Sequence, residues 1–217
     1  MPTAALGALA AAAWLTLGLQ FGLQIQSLLA SGDHGVLGAI AGAAGTYLFW
    51  FTLLTNTFCA AILAAHLRGC SGPIRDLLRR PGVVTCAAGA IIIVGVVYHL
   101  LLASTYDPQG LNKLTDTMLH TVLPIGFVLA WTRLVPKGAV RLTDTPWWIS
   151  YMLGYAAYIL VRGAIAGNYP YFFIDVASLG YPVALRNAGL LGLAFLALSA
   201  AMVGLNRLVG APRPSES

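Results

Sequence analysis

Charge is what this chain of 217 residues has least of: 9% of its residues are Asp, Glu, Lys or Arg against 59% hydrophobic, and its mean hydropathy is +0.80. A soluble domain carries roughly a quarter charged residues, so a water-facing globule is excluded and lipid is the solvent expected for most of the surface. Lysine is nearly missing. Ten of the twelve basic residues are Arg, scattered between apolar blocks with no basic stripe interleaved with aromatics, which excludes nucleic acid as a partner despite a net charge of +5. Cysteine is sparse as well: Cys59, Cys70 and Cys86 form no CxxC and no Cys/His set with zinc spacing, so packing is their expected role and no metal site follows. No P-loop, GxGxxG, GxSxG or HExxH occurs, which removes the common phosphate, dinucleotide, serine-esterase and zinc-protease signatures. No cofactor is implied, and neither an internal repeat nor the broken paired helices of many transporters are visible.

Long apolar runs are what the sequence does contain. About 20 apolar residues cross a hydrocarbon core, and six stretches qualify, at about 4–29, 45–67, 83–105, 115–135, 146–166 and 184–208. They are too continuous for barrel strands, and open sheets leave backbone groups unsatisfied in lipid. The expected fold is all-α, a single polytopic domain of six transmembrane helices over 1–217. Breakers fall between the runs near Gly32 to Gly35, Gly69 to Pro81, Asp107 to Asn112, Pro136 to Pro146 and Gly167 to Pro182. Basic residues mark the cytoplasmic side: Arg68, Arg75, Arg79 and Arg80 lie in the second loop, Arg133, Lys137 and Arg141 in the fourth, and Arg207 and Arg213 in the tail. Both termini are therefore expected in the cytoplasm. The first run lacks a basic n-region and is read as a retained helix rather than a signal peptide. Arg in place of Lys, with much Ala and Gly, matches a GC-rich bacterial genome, and the expected location is a bacterial inner membrane.

Polar groups inside spans are costly and point into the bundle by default. At 1.5 Å per residue, Thr52 lies about 10 Å below the outer end of the second run, with Thr55 and Asn56 a turn deeper. His99 and His120 come to about 9 Å below the same surface from neighbouring helices. Arg162 lies about a turn below the outer end of the fifth run, and Gln20 and Gln24 share a face of the first. The polar residues thus gather in the outer half, as expected of a pocket at the outer leaflet whose apolar remainder suits a lipid. Each group could instead bond a neighbouring helix. Arg162 needs a partner, with Asp116, Asp175 or a ligand carboxylate the candidates, unless it snorkels to the headgroups.

Asp116 and His120 are i and i+4 on one helical face. Such a carboxylate fixes an imidazole's tautomer, and a threonine in reach of that imidazole completes a nucleophile, base and orienter. Thr52 is the candidate nucleophile; alternatively, Asp116 caps a helix starting near Thr115.

The strings Phe51-Thr-Leu-Leu-Thr-Asn56, Asp116-Thr-Met-Leu-His-Thr-Val-Leu-Pro124 and Tyr169-Pro-Tyr-Phe-Phe-Ile-Asp175 resemble the FAR-17a/androgen-induced-gene family and its bacterial Pr6Pr relatives. The likeness covers most of the chain, including the six-helix layout. It implies an intramembrane threonine hydrolase cleaving fatty acid esters of hydroxy fatty acids, with Thr52 as nucleophile and His120 as base. An ungapped match through Pro124 would set Leu119 opposite the family's histidine, so His120 requires a one-residue helix adjustment. Aligning the second run through its downstream polar residue makes Thr55 the alternative nucleophile. Asn56, His99 and Arg162 are candidate oxyanion donors, Arg162 also a candidate for the substrate's carboxylate. Tyr169, Tyr171 and Asp175 could form a lid, or the tyrosines could be interfacial anchors. Three other readings remain at this point: a lipid-binding or transport protein using the same pocket, a haem protein ligated by His99 and His120, and a structural membrane subunit.

Overall fold

The computed structural model describes residues 3–67, 69 and 71–209; Arg68, Cys70 and Arg213 lie outside the described residues. Among these the chain is helical with no strand. Contacts divide it into two compact units, Met1–Val135 and Pro136–Ser217.

The first unit holds α1 (Thr3–Ala30), α2 (Val36–Phe49), α3 (Phe51–Ala65), the short α4 (Pro73–Leu78), α5 (Pro81–Val97), α6 (Gly110–Thr117) and α7 (Leu123–Leu134). α5 runs on through a π turn, Tyr98–Leu102, and a second π turn, Met118–Val122, joins α6 to α7. α1 packs on α2 and α3, and α5 packs on α3 and α7. Small residues line these contacts: Ala13, Ala43, Ala60, Ala87, Ala88 and Ala130 are buried. Lipid tails are as apolar as leucine, so helices in a bilayer gain by close van der Waals approach rather than by leaving water, and small side chains permit that approach. Leu17, Leu53, Leu119 and Leu123 close the core around Ala13 and Ala60. Outward, large apolar side chains such as Leu15 and Leu37 are exposed, as a lipid-facing surface requires.

The second unit is α8 (Thr145–Ala166) packed on α9 (Val176–Val209). α9 begins earlier than the run at 184–208 because it includes a kinked first segment. Gly180 has φ 73° and ψ 159° there, a conformation that only glycine adopts cheaply, and Pro182 follows without an N–H for the ladder.

Among the described residues five helical stretches, Thr3–Ala30, Pro81–Leu102, Gly110–Leu134, Leu142–Ala166 and Val176–Val209, are long and apolar enough to cross a membrane, or six if α2 and α3 count as one span. That pair corrects the expectation of one continuous helix over 45–67 and of no broken helices. The chain leaves the helix at Trp50 (φ −96°, ψ 120°) and restarts at Phe51, with α2 and α3 at 87°. No proline or glycine sits at the break. One long-range anchor accompanies it, the Tyr47 hydroxyl donating to the Leu17 carbonyl on α1, and locally the adjacent Phe49 and Trp50 rings meet edge to face at 5.3 Å. The Thr46 hydroxyl also bonds back to the Gly42 carbonyl at 3.0 Å, a contact that tends to bend helices.

Candidate active site

The break places Thr52 in the first turn of a helix rather than midway along one. Residues 47–49 belong to α2, so the carbonyls that would have received the Thr52 and Leu53 N–H groups are carried away at 87°. These amides lie in the turn of α3 whose donors have no intrahelical acceptor, and Trp50 supplies no side-chain cap.

Facing Thr52 is the π turn that carries His120. A proline four residues on explains that turn: Pro124 cannot donate to the His120 carbonyl, and Leu123 N–H reaches five residues back to the Met118 carbonyl. Single π turns of this kind recur at functional sites. Thr52 Oγ1 lies 3.3 Å from His120 Nε2. His120 Nδ1 is 3.0 Å from Asp116 Oδ1 and 3.0 Å from the Asp116 carbonyl. Both neighbours of Nδ1 are acceptors, so Nδ1 carries the proton and Nε2 presents its lone pair to the Thr52 hydroxyl. The helix containing Asp116 starts at Gly110, which places the carboxylate well inside it and removes the capping role near Thr115.

Tyr98, in the other π turn, was not singled out from the sequence. Its ring stacks on His120 with centroids 3.8 Å apart and planes 8° from parallel, and its hydroxyl donates to Asp116 Oδ2. A phenol in an apolar run at the depth of His120 was the available signal. Gly95, a turn before Tyr98, lets the helices approach: a Cβ there would sit 3.2 Å from the His120 carbonyl oxygen.

The remaining sequence candidates fall differently. Asn56 is 1% exposed and its amide nitrogen donates to the carbonyls of Thr52 at 2.9 Å and Leu119 at 3.1 Å. Both hydrogens are used, so Asn56 has no donor left for an oxyanion. His99 Nε2 meets Thr121 Oγ1 at 3.0 Å, on a different face from His120. Thr55 is fully buried, whereas Thr52 is partly exposed. Gln20 accepts from the Thr115 hydroxyl at 2.6 Å, a bond between neighbouring helices.

Arg162, Tyr169, Tyr171 and Asp175 belong to the second unit. Arg162 Nη1 donates to Asn168 Oδ1 at 2.7 Å. The Asp175 carboxylate accepts from the Ala177 N–H at 3.0 Å and the Ser178 hydroxyl at 2.7 Å, the pattern of a helix N-cap. The Asp116 carboxylate is bonded by His120 and Tyr98. Tyr171 stacks on Phe173 at 5.1 Å and the Tyr169 ring rests on Gly163. Loss of solvent, with Tyr181 and Asp175 adding to it, raises the pKa of the Tyr169 phenol. Cys59 and Cys86 are buried thiols, and among the described residues no three His, Cys, Asp or Glu side chains gather as metal ligands.

No family model, curated protein or solved structure matches this chain.

Proposed function

We propose that the protein is an intramembrane threonine hydrolase of lipid esters, such as fatty acid esters of hydroxy fatty acids, and belongs with the FAR-17a/androgen-induced-gene family that its motifs resemble. The observation carrying this reading is the chain of contacts from Thr52 Oγ1 through the His120 ring to Asp116. The order is that of a nucleophile, its base and the group orienting the base. Thr52 Oγ attacks the ester carbonyl carbon while its proton passes to His120 Nε2. The resulting oxyanion needs donors aimed at it in a dry site. With Asn56 and His99 committed elsewhere, the backbone N–H groups of Thr52 and Leu53 fill that role, aided by the positive end of the α3 dipole. Collapse of the tetrahedral species breaks the C–O bond, and the departing alkoxide takes the proton from His120, leaving acyl-threonine. Water then attacks the acyl carbon, giving its proton to His120, and the free acid leaves as Thr52 recovers its proton. In this reading the pocket opens near the outer leaflet of a bacterial inner membrane, with both termini in the cytoplasm.

The test is product release. Protein in nanodiscs supplied with a fatty acid ester of a hydroxy fatty acid should liberate both acids in equal amounts, measured by mass spectrometry, and Thr52→Ala should liberate neither. Tight binding of the intact ester without products would instead support a lipid-binding or transport protein. That second reading draws on the bent α2–α3 pair, since broken helices line the substrate sites of many transporters. A bis-histidine haem site draws less support, because His120 Nε2 already faces Thr52 and His99 Nε2 faces Thr121.

A further inference from the structure

The two amide hydrogens of Asn56 go neither to Thr52 Oγ nor to the His120 ring but to the backbone of both neighbourhoods. One goes to the carbonyl of Thr52 itself, at 2.9 Å, and the other to the carbonyl of Leu119, the residue before His120, at 3.1 Å. Two carbonyl acceptors require the nitrogen, not the oxygen, at that end of the side chain. The need at Leu119 is specific. Its carbonyl would ordinarily receive the Leu123 N–H, but that donor reaches the Met118 carbonyl in the π turn. The next residue that could serve is Pro124, which has no N–H. The helix therefore strands one buried carbonyl beside the base, and a buried unpaired carbonyl is costly. Asn56, 1% exposed and projecting from α3 one turn after Thr52, supplies the missing donor.

We infer that Asn56 is a positioning residue: it ties the α3 turn bearing Thr52 to the π turn bearing His120 and so sets the distance between the two side chains. The π turn and the asparagine form one device, since the turn creates the stranded carbonyl and the asparagine uses it to hold the turn in place. The catalytic consequence rests on the proposed hydrolase reading, whereas the structural consequence rests on the hydrogen bonds alone.

The experiment pairs two measurements on Asn56→Leu, Asn56→Ala and Asn56→Gln in nanodiscs. Histidine-selective 15N NMR reads the tautomer of His120, assigned with His120→Gln. The rate of fluorophosphonate labelling of Thr52 reads the competence of the pair. Leu and Ala should change the His120 signal and slow labelling about 100-fold, the scale of an ångström misplacement, while Gln, which keeps the donors on a longer arm, should recover part of the rate. Ala guards against a Leu variant that fails to fold. Labelling at the wild-type rate in both Leu and Ala variants overturns the inference. If wild-type Thr52 proves inert to the probe, the hydrolase reading fails and the NMR decides alone: a shifted His120 signal upholds the tether and an unchanged one overturns it.

Discussion

The two units of this molecule use polar side chains in different ways. In the first, side chains meet side chains across helices: Thr52 with His120, Tyr98 with Asp116, His99 with Thr121, and Trp131 Nε1 with Thr85 Oγ1 at 3.0 Å. Among the described residues of the second, several bonds stay local, although the Asn206 amide reaches the Pro136 carbonyl 70 residues away at 3.1 Å. Asp175 caps its own helix, Arg186 meets Asn187, the Asn187 amide holds the Phe173 carbonyl at 2.8 Å, and Ser199 bonds back to Phe195. Local bonds of the second kind hold helix ends and a connection in shape. Bonds of the first kind fix the relative placement of groups far apart in sequence, which is what chemistry between them demands. A polar residue within a span is thus a weak pointer to function by itself, and its partner is the stronger one.

Substitutions can break or sharpen that contrast. Asp116→Asn should have the largest effect among residues supporting the reacting pair: an amide can donate to Nδ1 and favour the wrong tautomer, lowering the labelling rate of Thr52 by roughly 10³ to 10⁴. Gly95→Ala places a methyl 3.2 Å from the His120 carbonyl oxygen, and overpacking of this kind costs about 1–3 kcal/mol. The expected result is a lower melting temperature together with slower labelling. Tyr98→Phe keeps the stack on His120 but removes the hydroxyl bonded to Asp116. Loss of a bond to a charged group costs about 1.5–3 kcal/mol at most, and labelling should slow by less than in Asp116→Asn. Asp175→Ala should have the smallest effect. Losing an N-cap costs about 1 kcal/mol, visible in the melt, while the labelling rate stays unchanged. A large rate loss there would erase the distinction between the units.

Composition and run length were enough to read the helical membrane character, because the shortage of charge leaves few other solutions. Asp116 and His120 were legible from their i, i+4 spacing, and Thr52 from a depth shared with His120. Depth counted along the second run presumes a continuous helix, and the break at Trp50 carries no proline or glycine to mark it in the sequence, while the anchoring contact of Tyr47 comes from α1. By sequence Asn56 is one of three candidate oxyanion donors, because its bond to the Leu119 carbonyl is not visible there. Pro124, four residues after His120, signalled that a carbonyl would be stranded, but which side chain would satisfy it depends on a helix 63 residues away in sequence. Tyr98 and His99 are adjacent, and periodicity alone did not tell which of the two faces Asp116.

The most direct test of the account is intact-mass spectrometry of detergent-purified protein after fluorophosphonate treatment, with peptide mapping of the modified residue. The account predicts a single adduct on Thr52, absent from Thr52→Ala and His120→Ala and retained in Thr55→Ala. An adduct that survives Thr52→Ala, or none on folded wild-type protein, would contradict it.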